Sequence, residues 1–111
     1  MFSDMGQPFI RIGPEGFDSS VGFSSQNWQQ MIRILLGPKS RVKVLEIGLS
    51  GDGTTVWSVE GLGETWTIKP DLGIAFPVEG VIGPNHSITI KARSDGTTTV
   101  YPMCWVSGGY V

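Results

Sequence analysis

The residue types from which reaction centres are built are sparse in this chain. It has one His (His86) and one Cys (Cys104). His86 follows Gly83-Pro84-Asn85, a turn sequence, and the carboxylates of Asp71 and Glu79 stand at no motif spacing from it. It reads as a turn residue and not as a general base or ligand. Cys104 lies in the apolar run Met103-Cys104-Trp105-Val106. A thiol nucleophile needs a base, and no flanking signature supplies one. It reads as a small buried hydrophobe. A single Cys also excludes an internal disulfide and a Cys-based zinc site.

Two loops, Ser50-Gly51-Asp52-Gly53 and Ser94-Asp95-Gly96, resemble pieces of calcium loops, but each brings one carboxylate. Calcium takes about six to eight oxygens, so Asp-Gly reads first as a turn. The Gly48 to Gly53 stretch lacks the Lys of a phosphate-binding loop. Asn85-His86-Ser87 is a glycosylation sequon that matters only in a secreted chain. Residues 1–16 show no apolar signal run, being interrupted by Asp4 and Pro8. The expectation is no catalytic residue, no metal, no cofactor and no small-molecule substrate.

Charge narrows the partners. Eight basic residues stand against ten acidic ones, net −2. That total carries no electrostatic footprint for nucleic acid or an anionic membrane. The apolar runs are too short to cross a bilayer as a helix. A soluble protein made in a reducing compartment is the expectation. Four Trp and two Tyr raise the possibility of sugar stacking. Trp57 and Trp66 flank one turn and could share a sheet face as a platform. The competing reading is that aromatics fill β cores and interfaces.

The elements that must position these residues are strands. Val and Ile number ten each and Thr eight, against two Ala. Branching at Cβ suits a pleated surface, and Ala is the best helix former. With 16 Gly and 7 Pro, the pattern is many short strands joined by turns. Residues 1–26, with Phe2, Phe9, Phe17 and Phe23 among Gly and Ser, read as an extended arm or a loosely paired first strand. Only Phe9-Ile10-Arg11-Ile12 has strand character.

From residue 27 the alternation tightens. Residues 28–36 place Ile32, Ile34 and Leu36 on one face; a helix over 27–36, from Trp28, Met31, Ile32 and Leu35, is the rival. Gly37-Pro38-Lys39-Ser40 turns the chain into residues 41–49, with Leu45, Ile47 and Leu49 on one face, and the two segments could form a hairpin. Further strands fall at 55–59, 65–69, 74–78 (bent at Pro77), 86–92 and 97–106. Ser94-Asp95-Gly96 is the clearest hairpin turn. About eight strands over residues 27–111 fit an all-β, antiparallel sandwich: a jelly roll first, an immunoglobulin-like sandwich second.

Residues 42–111 carry a resemblance. Leu45-Glu46-Ile47-Gly48-Leu49-Ser50-Gly51, the Gly- and Pro-rich middle from Pro70 to Pro84, Ser87-Ile88-Thr89-Ile90 after Gly-Pro-Asn-His, and the terminal Gly-Gly-Tyr-Val follow one another in a familiar layout. It resembles the small jelly-roll capsid decoration or staple proteins of tailed bacteriophages, of the epsilon-fifteen type. The resemblance implies a non-enzymatic virion structural protein. Such a protein is made in the host cytoplasm and sits on the outer capsid surface. It bridges neighbouring major capsid protein subunits, as a homodimer.

The arm offers Phe2, Phe9, Ile10 and Phe17 as apolar anchors for a partner. Trp57, Trp66 and Tyr101 are the aromatics expected at a dimer or other interface, because aromatic anchors dominate interface energetics. The alternative is a glycan-binding β-sandwich module of a phage fibre or tailspike.

Overall fold

The computed structural model describes residues 7–13, 22–62, 65–69 and 73–111. They form eight strands: β1 (Gln7–Ile12), β2 (Gln29–Leu35), β3 (Val42–Ser50), β4 (Thr55–Glu60), β5 (Trp66–Ile68), β6 (Ile74–Ile82), β7 (Ser87–Ser94) and β8 (Met103–Tyr110). One four-stranded sheet has the order β1-β8-β3-β6 and the other β2-β7-β4-β5. Each neighbouring pair is antiparallel. First pairs with last, second with seventh, third with sixth and fourth with fifth. This is one long antiparallel ribbon rolled into two sheets, the jelly-roll arrangement.

The core lies between the sheets. Ile32, Ile34, Trp57, Val59, Ile88 and Ile90 enter it from one side. Val42, Val44, Ile47, Leu49, Cys104 and Val106 enter from the other. Trp57 is fully buried and stands opposite Ala92, whose small side chain leaves room for the indole. Among the described residues, Trp57 Nε1 is the buried side-chain nitrogen or oxygen with no hydrogen-bond partner.

Two bulges set the phase of the alternation. In β2 the register slips between Gln30 and Ile32, so Met31 is the extra residue. Met31 and Ile32 are therefore both buried. Adjacent buried residues are what makes 27–36 resemble a helix; the segment is a strand. In β3 the slip falls at Leu45. Inward positions are consequently Val42 and Val44 before the bulge, Ile47 and Leu49 after it. The expected face of Leu45, Ile47 and Leu49 is corrected: an extra residue moves every later side chain to the other face.

Two expected hairpins are also corrected. The chain does not pair β2 with β3, because they lie in different sheets. Nor does Ser94-Asp95-Gly96 close a hairpin, since β7 and β8 lie in different sheets too. Its turn chemistry is genuine but serves a crossing. Gly96 has φ +93°, and Asp95 Oδ1 accepts from the Thr97 amide at 3.0 Å and its hydroxyl at 2.6 Å. Buried Ser94 fixes the loop further, donating from Oγ to the Thr98 carbonyl at 2.7 Å. The chain then bridges Phe23 to Val100 before entering β8.

Of the two readings of residues 1–26, an extended arm or a paired first strand, the described part is the strand. Gln7–Ile12 pairs with β8 along its whole length. The Gly13 amide continues that ladder onto the Cys104 carbonyl at 2.6 Å. Phe9 and Phe23 pack against the core. Residues 1–6 and 14–21, with Phe2 and Phe17, lie outside the described residues.

Trp57→Ala should cost about 3–5 kcal/mol of unfolding free energy, the range for removing a large core aromatic. Chemical denaturation with an unchanged slope would measure it; a cost below about 1 kcal/mol would contradict the burial. Cys104 gives a pH signature. Burial pushes its thiol up from 9.0 to about 12. The unfolded chain then releases this proton at lower pH than the native one does. The contribution of Cys104 to stability is present below pH 9.0 and is lost as pH rises from there through about 12. Relative to Cys104→Ala, the native protein should lose stability more steeply over that window, and thiol labelling should be slow until denaturant is added. Parallel pH profiles would contradict it.

Candidate functional site

The outer faces of the two sheets differ in chemistry. On β2-β7-β4-β5 the outward positions include Arg33, Thr89, Lys91, Arg93, Ser58 and Glu60, by the strand register. Lys91 lies 3.4 Å from Glu60, and the Arg93 guanidinium sits 5.1 Å from the Trp28 ring centroid. This face carries paired charges beside an exposed Leu35, and its Val56, Ser58 and Thr89 are buried.

On β1-β8-β3-β6 the outward positions are largely apolar. Cross-strand pairing puts Ile12 beside Trp105, Trp105 beside Gly48 and Gly48 beside Ala75, a row across all four strands. Ile10, Met103, Pro77 and Val81 lie on the same side. Ile10 is 68% exposed and Ile12 65%. Met103 and Val81 are exposed as well.

Trp105 is held flat by a glycine. A Cβ on Gly48 would stand 2.1 Å from Cε2 and Nε1 of the indole. The ring therefore occupies the place a side chain would take on β3. Lys43 and Glu46, on the same strand, are the charged side chains that the register puts on this face among the residues with described burial. Clustered exposed apolar side chains of this kind mark interaction surfaces, whereas isolated ones are ordinary.

The residues expected to act at interfaces separate on this frame. Ile10 is on the apolar outer face. Phe9, next to it, points inward and meets Tyr110 with ring centroids 5.5 Å apart. Its expected role as a partner anchor is corrected, because alternate residues of a strand face opposite ways. Trp57 is corrected also: with no exposed surface it can touch no partner. Trp66 is half-buried against the core, opposite Val59. Trp57 and Trp66 do share a face, but it is the inner one, so they form no sugar platform. Tyr101 is 58% exposed, beside Gly22 and ahead of β8. Ile12, Met103 and Trp105 were not singled out from the sequence. Their signal was the alternation Met103, Trp105 against Cys104, Val106, with both faces apolar.

The loops with possible metal chemistry have other work. Asp52 Oδ1 accepts from the Thr54 hydroxyl at 2.7 Å and the Thr54 amide at 3.0 Å. The Thr54 hydroxyl bond is the largest influence holding this carboxyl below its ordinary range. Asp95 pairs with Lys69, and that hydrogen bond is the main cause of its strongly lowered pKa. Thr54 and Thr98 join the two loops through their hydroxyls at 2.7 Å. Among the described residues no group of three or more His, Cys, Asp or Glu could hold a metal ion. His86 is exposed and its Nδ1 donates to the Pro84 carbonyl at 2.8 Å.

Gly48→Ala should displace the Trp105 ring. The new methyl group needs the space the indole fills, and overpacking costs about 1–3 kcal/mol. A red-shifted tryptophan emission and a lower melting temperature are the expected readouts. An unchanged spectrum and melting curve would show that the ring does not rest on Gly48.

No family model, no curated protein and no solved structure matches this chain.

Proposed function

We propose that the chain is a non-enzymatic structural protein that binds the outside of a tailed-phage capsid. There it bridges neighbouring major capsid protein subunits and stabilises the head. The single observation that carries the assembly part of this reading is the apolar outer face around Ile12, Trp105 and Met103. A jelly roll with one outer face of paired charges and one largely apolar is suited to lie on a protein surface. The capsid itself comes from the resemblance of residues 42–111 to phage staple proteins. Bridging requires two contacts on one body, and linking them raises avidity well above either contact alone. Low charge fits an attachment that responds weakly to salt.

The test uses phage heads stripped of the protein. Purified chain is added back over a range of ionic strength while occupancy and particle melting are followed. Saturable binding with a raised melting temperature is expected, little changed by salt. Met103→Glu places a charge on the apolar face and should weaken binding about tenfold or more, equivalent to about 1.4 kcal/mol. Saturation without stabilisation would remove the stapling role. Elution from an immobilised glycan, with no affinity for heads, would favour the fibre or tailspike alternative.

A further inference from the structure

Among the described residues, the apolar outer face of β1-β8-β3-β6 holds a side chain whose polarity chemistry can reverse. Ile10, Ile12, Pro77 and Val81 present only carbon and hydrogen there. Met103 adds a thioether sulfur. It is the first residue of β8 and is 41% exposed. It shares its outward parity with Trp105, and buried Cys104 between them points the other way. Mild oxidants convert a thioether to the sulfoxide, which turns a flexible apolar side chain into a polar one.

The other sulfur atoms of the described residues are shut away. Met31, the extra residue of the β2 bulge, is fully buried. Cys104 is 1% exposed, and burial pushes its thiol up to about 12, so the reactive thiolate is scarce at neutral pH. Met1 and Met5 lie outside the described residues.

We infer that Met103 is a reversible oxidation site through which a peroxide turns the apolar outer face polar and weakens its docking on a partner. The sulfur lone pair attacks one oxygen of hydrogen peroxide. The S–O bond forms, the O–O bond breaks, and the other oxygen leaves as water with the proton released. The sulfur gives up an electron pair and the peroxide is reduced. A methionine sulfoxide reductase, supplied with electrons by a thiol, removes the oxygen as water and restores the thioether.

The sheet accommodates the product. Ser50 of β3 stands directly opposite Met103 and is exposed. Facing Cβ atoms in such a pair are about 4.5–5.5 Å apart, so the Ser50 hydroxyl can donate to the sulfoxide oxygen. Covering that oxygen with an apolar partner would then strip it of water, a cost the thioether does not carry. The oxidation site rests on the chain alone; the loss of docking rests on the reading that this face lies on a capsid.

The full chain is treated with dilute hydrogen peroxide and mapped by mass spectrometry. Met103 should gain one oxygen well before Met31, which should react only after denaturation. Similar rates at the two residues, or a Met103 that stays reduced, would overturn the site. The change of face is read on a hydrophobic-interaction column. Oxidised chain should elute earlier than reduced chain, and the reductase should restore retention. Met103→Leu, compared with itself before and after peroxide, should lose most of that shift; what remains is the share of Met1 and Met5. A shift as large in the Leu variant would overturn the switch. On stripped heads, oxidised chain should bind about tenfold more weakly than reduced chain. Equal binding of the two forms would overturn the switch. Failure of both forms to bind would count against the capsid reading, and the column would still decide the switch.

Discussion

A strand with side chains alternating at period two serves a core only while its phase is kept, and this sandwich has one core fed by both sheets. The constraint is sharpest in β3, which pairs with β6 on one side and β8 on the other. Val42 and Val44 point inward at one end, Ile47 and Leu49 at the other. Those two pairs are out of step by one residue. The bulge at Leu45 absorbs the difference, and both flanking strands follow it. Without the bulge, half of β3 would present its apolar side chains to solvent. The outer row also depends on it: Gly48 faces outward beneath Trp105 because the phase was reset three residues earlier.

That dependence explains how much was legible in the sequence. Strand existence was readable for β2 to β8, since Val, Ile and Thr recur between Gly and Pro turns. Which strands pair was not. Ser94-Asp95-Gly96 has the residues of a tight turn, and the local chemistry formed as those residues dictate. Local chemistry fixes the bend and not the destination of the chain. In a jelly roll, the chain leaves one sheet for the other after most turns. The end of β8 was hidden for a different reason: Ser107-Gly108-Gly109 has little β propensity, yet the middle of a sheet imposes an extended conformation.

The candidate site was less legible than the fold. Aromatic residues were chosen from the sequence because rings are common at interfaces, but burial sorts them by phase and not by type. Trp57 went inside, since it shares the inward parity of Val59 on a strand that is buried on both faces. Trp105 stayed partly outside, since it is in step with Met103 and out of step with Cys104. Phe9 and Ile10 are adjacent and divided the same way. A sequence read one strand at a time shows two faces without saying which is dry. The dry face is decided by what lies across the sandwich.

The two outer faces then bear on function as a contrast. Burying an apolar face requires a partner face, and for each sheet one such partner exists inside the molecule. The other side of the sheet β2-β7-β4-β5 carries charged groups paired with their neighbours, the Lys91–Glu60 pair and the Arg93–Trp28 contact. The sheet β1-β8-β3-β6 is apolar on its inner side and largely apolar on its outer side, where Lys43 and Glu46 interrupt it, a pattern close to that of strands that lie between two layers. Among the described residues, only one of those layers is supplied. An edge strand beside an apolar face is also a pairing hazard that proteins normally blunt. Here Pro8 blunts the first half of β1 while Ile10 and Ile12 leave the second half open. Pro8 has no N–H, so a strand laid along that half of the edge finds an acceptor there and no donor. A position that can only accept narrows which strands can lie along the edge, and restrictions of this kind are how a sheet edge is kept from indiscriminate pairing.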